Sequence, residues 1–206
     1  MAEERVFIPS KGLSLEGLMD SASGKEAVVV THPHPVYGGQ MHNNVVESVV
    51  RVYRRQGYGT LRFNFRGVGQ SEGAYDNGDG EQDDVRAALE YLIGMGKVFI
   101  DLAGYSFGAW VNARGLNSFS HVKRLIMISP PVNFLDFSFV DYNPRIRLVI
   151  TGSDDELAPS AIIEKMLQLW NPKAEFKIIH GADHFYWGKS GEIESAIESF
   201  LGNEDI

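Results

Sequence analysis

Residues 98–116 read VFIDLAGYSFGAWVNARGL: an apolar strand run, a Gly-x-Ser-x-Gly turn at Gly104–Gly108, then a helical pattern. A strand that becomes a helix over one residue constrains the fold more than any other feature of the chain. It demands a sheet whose strands feed helices lying on its faces. It also demands a corner so tight that only small residues fit two positions either side of the serine. Such a corner lifts the Ser106 hydroxyl above the end of the sheet and leaves the next backbone N–H, that of Phe107, free for an oxyanion. A serine hydroxyl is a weak nucleophile until it is held against a base. Ser106 is therefore the candidate nucleophile.

The same five-residue pattern occurs a second time, at Gly69-Gln70-Ser71-Glu72-Gly73. It also follows a strand run, LRFNF, but it runs into AYDNGDG, which is turn chemistry and starts no helix. Ser71 is read as part of a glycine-rich surface turn. Gly67-Val68-Gly69 has neither the spacing nor the following helix of a phosphate-binding loop.

The remaining periodicities agree with a layered α/β chain. Val6–Pro9 and Leu13–Met19 read as a hairpin joined at Lys11-Gly12. Ala27–Thr31, Gly59–Phe65, Lys97–Leu102, Arg124–Ser129, Arg145–Thr151 and Glu175–Ile179 read as strands. Asn44–Arg55, Glu81–Ile93, Ala109–Leu116, Pro159–Trp170 and Ile193–Leu201 read as helices. Continuous apolar strands alternating with helices predict a mostly parallel sheet with helices on both faces and an antiparallel N-terminal edge. Glu81, Asp83 and Asp84 open a helix, where acids favour the dipole and support structure. At 206 residues and 44% hydrophobic content, one domain over residues 1–206 is expected.

Composition narrows the partners. A net charge of −8 argues against nucleic acid and anionic membranes. No apolar run reaches bilayer length, and the start MAEER lacks the layout of a signal peptide. The absence of cysteine excludes disulfides and thiolate metal sites and fits a cytoplasmic setting. The partner expected is a small-molecule substrate.

In a parallel sheet, chemistry gathers at the carboxyl ends of the strands. After Arg145–Thr151 comes Gly152-Ser153-Asp154-Asp155-Glu156, and after the last strand comes His180-Gly181-Ala182-Asp183-His184. The resulting order, serine, acid, histidine, suits a nucleophile elbow. His184 lies four residues out on a loop and can reach back over Ser106; His180 sits at the strand end, where local packing is its natural role. Either Asp155 or Asp154 can orient the imidazole, and spacing alone does not separate them. For a second oxyanion donor, Pro33 and Pro35 carry no N–H. His34 is then the first available donor apart from His32, with Tyr37 as the second choice. A metal site on His32, His34 and His42 is the weaker reading, since no carboxylate ligand sits nearby in the sequence.

Taken together, GYSFG, GSDDELAP and GADHF resemble the α/β-hydrolase superfamily, over nearly the whole chain. The resemblance is strongest to small bacterial hydrolases that carry H-P-H-P-x-x-G-G, here His32–Gly39, with RFNFRGVGQSEG at Arg62–Gly73 and GEQDD at Gly80–Asp84. It implies hydrolase chemistry without a cofactor. The superfamily's G-x-x-D-x-x-x-P spacing maps onto Gly152 and Pro159 and picks Asp155. Its oxyanion loop places a donor at the position of His34. Larger relatives insert a helical cap where this chain has only Pro130–Pro144, so no cap is expected and the pocket is shallow. Tyr37, Gly38, Phe134 and Phe185 are its expected lining, with Phe137, Phe139, Tyr186 and Trp187 as further aromatic candidates. The expected reaction is cleavage of small or short-acyl carboxylic esters through an acyl-enzyme. Thioester, peptide or lactone cleavage on the same residues, or a binding protein without turnover, are the alternatives.

Overall fold

The computed structural model describes residues 3–203; the first two residues and the acidic end at Glu204 and Asp205 lie outside it. Eight strands form one sheet: β1 (Glu4–Ser10), β2 (Leu13–Asp20), β3 (Glu26–Thr31), β4 (Gly59–Phe63), β5 (Phe99–Tyr105), β6 (Val122–Ile128), β7 (Ile146–Gly152) and β8 (Glu175–Ile179). Their order across the sheet is β1-β2-β4-β3-β5-β6-β7-β8. β2 runs antiparallel to both of its neighbours, and every pairing from β4 to β8 is parallel. This is the expected α/β-hydrolase fold: a mostly parallel sheet with an antiparallel N-terminal edge.

Alternation along the strands decides what each helix covers, because successive side chains point to opposite faces. Val28 and Val30 of β3 face one layer with Ala103 and Tyr105 of β5, under α1 (Asn44–Arg55) and α5 (Ser190–Asn203). Ala27 and Val29 face the other with Ile100 and Leu102, under α2 (Asp79–Gly94), α3 (Phe107–Gly115) and α4 (Ser160–Trp170). Both faces are apolar because both are buried. Among the described residues, no helix is long and apolar enough to cross a membrane.

Most element ends shift by one to three residues from the sequence reading, and two of the shifts have a clear cause. β5 continues three residues past Leu102, because β6 offers a parallel partner as far as the Tyr105–Ile128 pair and the ladder claims those backbone groups. α2 starts at Asp79, before Glu81, because the Glu81 carboxylate reaches back to the N–H groups of Gly78 (2.7 Å) and Asp76 (2.9 Å) and caps an earlier start.

The Ser71 segment is an exposed glycine-rich turn at Gly69, Gln70, Glu72 and Gly73, but Ser71 itself is turned inward. Ser71 is buried; its hydroxyl donates to the Asn64 carbonyl (2.7 Å) and accepts the Glu16 N–H (2.9 Å). Asn64 in turn donates to Glu16 and accepts the Met41 N–H. Arg66 forks onto Asp84, which also takes the Ser10 hydroxyl. The Arg62–Gly73 and Gly80–Asp84 motifs thus brace β2, β4 and the start of α2.

Candidate active site

One residue separates β5 from α3. Ser106 takes φ 54° and ψ −118°, a left-handed backbone that costs a serine on the order of 1–3 kcal/mol. The corner is held on both sides: the Ser106 N–H donates to Ile128 C=O (2.9 Å) and the Trp110 N–H to Ser106 C=O (3.2 Å). A Cβ on Gly108 would strike the Thr31 and His32 carbonyls, and one on Gly104 would strike Asn112 and the Ala109 nitrogen. Both glycines are there for close approach.

The strand ends bring the two predicted partners to this corner. Ser106 Oγ lies 2.9 Å from His184 Nε2, and His184 Nδ1 lies 3.0 and 2.9 Å from the two Asp155 oxygens. All three residues are buried. Asp155 accepts at Nδ1, so that nitrogen carries the ring proton and Nε2 faces the hydroxyl as an acceptor. Burial alone would push the Asp155 carboxyl up. Hydrogen bonds from His184, Ser129 and the Ala158 N–H outweigh it and hold the group below the usual carboxylate range. The alternatives lie elsewhere: Asp154 is exposed and takes the Ser153 hydroxyl, and His180 is exposed on the β8 side of α5.

Local chemistry shapes the His184 loop. Asp183 accepts the N–H groups of Phe185 (2.9 Å) and Tyr186 (3.1 Å), a side-chain-closed turn. The Tyr105 hydroxyl donates to the His184 carbonyl at 2.5 Å, and Asn44 ties Phe185 C=O to α1.

After β3 the chain is pinned by His32, whose ring is wholly buried. Its Nε2 accepts the Phe65 N–H (3.0 Å), so its Nδ1 donates to Pro33 C=O (2.6 Å). Burial lowers its pKa to about 4, with the Pro33 hydrogen bond partly offsetting this. The His34 carbonyl accepts the N–H groups of Tyr37 and Gly39, and Gly38 closes that short turn at φ 82°. The Tyr37 N–H is thereby occupied. Among the described residues the N–H groups of His34 and Phe107 meet no acceptor, and both residues line the same cavity as Ser106 and His184. Phe107 N–H is at the first position of α3, where the helix itself has no partner for it.

That cavity encloses about 470 Å³. Tyr37, Gly38, Phe134 and Phe185 line it, joined by Leu135 and Leu157. No Lys, Arg, Asp or Glu lines it among the described residues. The further aromatics do not wall it. Phe137 is buried between Phe139 and Trp170, Tyr186 is wholly buried in the layer under α1 and α5, and Trp187 is 76% exposed. Residues 130–144 form turns without a helix or strand, so no helical cap stands there, and Pro131, Phe134 and Leu135 from this segment line the cavity. Among the described residues, no three His, Cys, Asp or Glu side chains gather to hold a metal ion. Sequence reasoning missed Ser129 and Tyr105 at this site. Each sits where an apolar strand ends in a hydroxyl, and that was the available signal.

No protein-family model matches the chain. It is 36% identical over 199 residues to an uncharacterized protein of Rickettsia prowazekii, covering 91% of this chain and 84% of that one. Among solved structures it is similar to an alpha-beta serine hydrolase homologue from Coxiella burnetii, with 33% identity, a TM-score of 0.90 and 98% of each chain covered. It is also similar to a serine hydrolase without lid from Xanthomonas campestris, with 32% identity, a TM-score of 0.90, and 98% and 95% coverage.

Proposed function

The chain belongs to the α/β-hydrolase family, and from that premise we propose that it cleaves uncharged, short-acyl carboxylic esters through an acyl-enzyme on Ser106. The observation that carries this reading is the hydrogen-bonded run Ser106–His184–Asp155 at the floor of an open, apolar cavity.

In this reading the Ser106 oxygen attacks the ester carbonyl while His184 Nε2 takes its proton. The carbonyl oxygen becomes an oxyanion and accepts the N–H groups of His34 and Phe107; such a donor is typically worth roughly 3–4 kcal/mol. Asp155 stabilises the imidazolium that has formed. His184 returns the proton to the departing alcohol, leaving the acyl group on Ser106. A water molecule, deprotonated by the same nitrogen, then attacks the acyl carbonyl and frees the acid and the Ser106 hydroxyl. No cofactor takes part in this scheme.

The lining supports an uncharged substrate. A charged acyl or alcohol group would lose water on entering the cavity and meet no opposite charge there. The turns at residues 130–144 put no helical cap over the cavity, which suits compact acyl groups better than a long chain needing an enclosed tunnel. The test pairs a fluorophosphonate probe with a series of p-nitrophenyl esters of increasing acyl length. Stoichiometric labelling of Ser106 is expected, with kcat/KM highest for the short acyl groups. An unlabelled Ser106 would overturn the reaction, and a strong preference for long chains would overturn the substrate class.

A further inference from the structure

Asp155 is held by more than His184. Its Oδ1 accepts the N–H groups of Leu157 (3.0 Å) and Ala158 (2.8 Å), and its Oδ2 accepts the Ser129 hydroxyl at 2.6 Å. Ser129 Oγ also lies 2.6 Å from the Tyr186 hydroxyl. Proton counting gives this chain a direction. A serine hydroxyl has one hydrogen and an ionised carboxylate can only accept, so the Ser129 proton goes to Asp155 and Tyr186 must donate to Ser129. Tyr186 is wholly buried, and that burial raises its phenol, which keeps its proton for this bond.

The backbone adds an independent observation. Five described residues other than glycine have positive φ: Lys11, Asn77, Ser106, Ser129 and Tyr186. Three of the five are members of this one hydrogen-bonded run. Ser129 follows β6 at φ 45°, and its N–H donates to Ile150 C=O at 2.7 Å. Glycine would take that backbone without strain. What serine brings in exchange is its hydroxyl, and that hydroxyl is aimed at Asp155.

Resting on the reading of Ser106, His184 and Asp155 given above, we propose that Ser129 and Tyr186 are positioning residues that fix the Asp155 carboxylate and set how strongly it stabilises the His184 ring. The ionisable groups facing this cluster are His184, Tyr105 from β5, and Tyr186 and Asp183 from the His184 loop. Tyr105 gives its proton to the His184 carbonyl, so Ser129 is the side chain other than His184 that donates to Asp155.

The sign of the effect follows. Without the Ser129 hydroxyl the carboxylate loses a donor and its charge stays concentrated beside the ring. The imidazolium becomes easier to form. Without the Tyr186 hydroxyl, Ser129 still donates but is no longer polarised by a donor of its own, and the effect is smaller. A more readily formed imidazolium moves the acid limb of kcat/KM to higher pH, because the base must be neutral to act.

The experiment is a nitrogen-15 NMR titration of the full chain as wild type, Ser129→Ala and Tyr186→Phe, with His184→Asn assigning the signal. The His184 titration is expected to move to higher pH in Ser129→Ala and by less in Tyr186→Phe, with the acid limb following. A His184 titration unmoved in both variants, with only the unfolding temperature lowered, would overturn the proposal by reducing the pair to packing. Tyr186→Phe keeps the ring and removes one oxygen, so it carries the test if Ser129→Ala does not fold. The titration needs no substrate. A wild-type Ser106 that resists the fluorophosphonate would therefore count against the ester reading and leave the NMR result standing.

Discussion

The chain writes Gly-x-Ser-x-Gly twice, and the two copies put the positive φ in opposite places. Around Ser71 the glycines take it, at no steric cost: Gly69 and Gly73 sit at φ 59° and 85°, while Ser71 has an ordinary backbone. Around Ser106 the serine carries it, at φ 54°, while Gly104 and Gly108 are absent from the positive-φ residues and serve only to make room. The chemistry divides the same way. Both lobes of the Ser71 hydroxyl are occupied by backbone, at Glu16 and Asn64, and it has no base. The Ser106 hydroxyl meets an imidazole and opens onto a cavity. The same letters give a brace in one place and the proposed nucleophile in the other, and the difference is which residue the flanking elements set at positive φ.

The sharpest way to break this comparison is to remove each hydroxyl in turn. Ser106→Ala is expected to lower kcat for p-nitrophenyl acetate by roughly 10⁵–10⁶-fold, the scale seen when the nucleophile of a coupled set is lost. Next in size is Asp155→Asn. The amide keeps the shape but reverses the tautomer preference of His184, and a kcat loss of roughly 10⁴-fold is expected. Asp154→Asn, on an exposed carboxylate bonded only to its neighbour Ser153, should leave kinetics unchanged. Equal losses for the two aspartates would contradict the geometry.

A smaller effect tests the residue that links the two serine segments. His32 takes the Phe65 N–H, just ahead of the Ser71 turn, and precedes the loop that presents His34. Its folded pKa is about 4 against 6.5 unfolded. Between those values the unfolded chain binds the extra proton, so its contribution to stability is fully present above about pH 6.5 and is lost as pH falls through about 4. A shift of that size corresponds to a loss of about 2–3 kcal/mol by pH 4.5. Urea unfolding at pH 7.5 and 4.5 measures it. His32→Gln can carry an amide oxygen to the place of Nε2, keeping an acceptor for Phe65, and cannot titrate, so its fall between the two pH values should be smaller than the wild-type fall by that amount.

Much of the frame was legible because it rests on local chemistry. Strand periodicity, the Asn44–Arg55 and Glu175–Ile179 boundaries, and the strand-to-helix corner at Ser106 follow from neighbours in the chain. His184 was legible because parallel strands end on one side of the sheet. Asp155 needed more: it is singled out by capping the Leu157 and Ala158 N–H groups, which sequence spacing does not distinguish from the same cap made by Asp154. The aromatics divided because an aromatic letter does not say which way it faces. Tyr37, Phe134 and Phe185 turn to the cavity; Phe137 and Tyr186 turn inward. The Ser129–Tyr186 bond spans 57 residues and exists only once the sheet has formed.

The smallest expected effect belongs to Ser71, where the comparison predicts a change in stability and none in chemistry. β2 and β4 pair regularly from Asp20–Thr60 to Gly17–Phe63, and the ladder becomes irregular at the next pair, Glu16 and Asn64. The Asn64 N–H still reaches Glu16 C=O at 2.8 Å, but the Glu16 N–H and the Asn64 C=O no longer meet directly, and the Ser71 hydroxyl fills that gap as a side-chain rung. Ser71→Ala strands one donor and one acceptor in buried surroundings, which costs about 1–3 kcal/mol. Ser71→Thr keeps the hydroxyl and should recover most of it. Urea unfolding reads the stability, and p-nitrophenyl acetate turnover on the folded protein reads the chemistry. A Ser71→Ala protein that unfolds like wild type, or that folds normally and loses turnover, would erase the distinction between the two serines. The distinction holds if stability drops, kcat stays, and Ser106→Ala does the reverse.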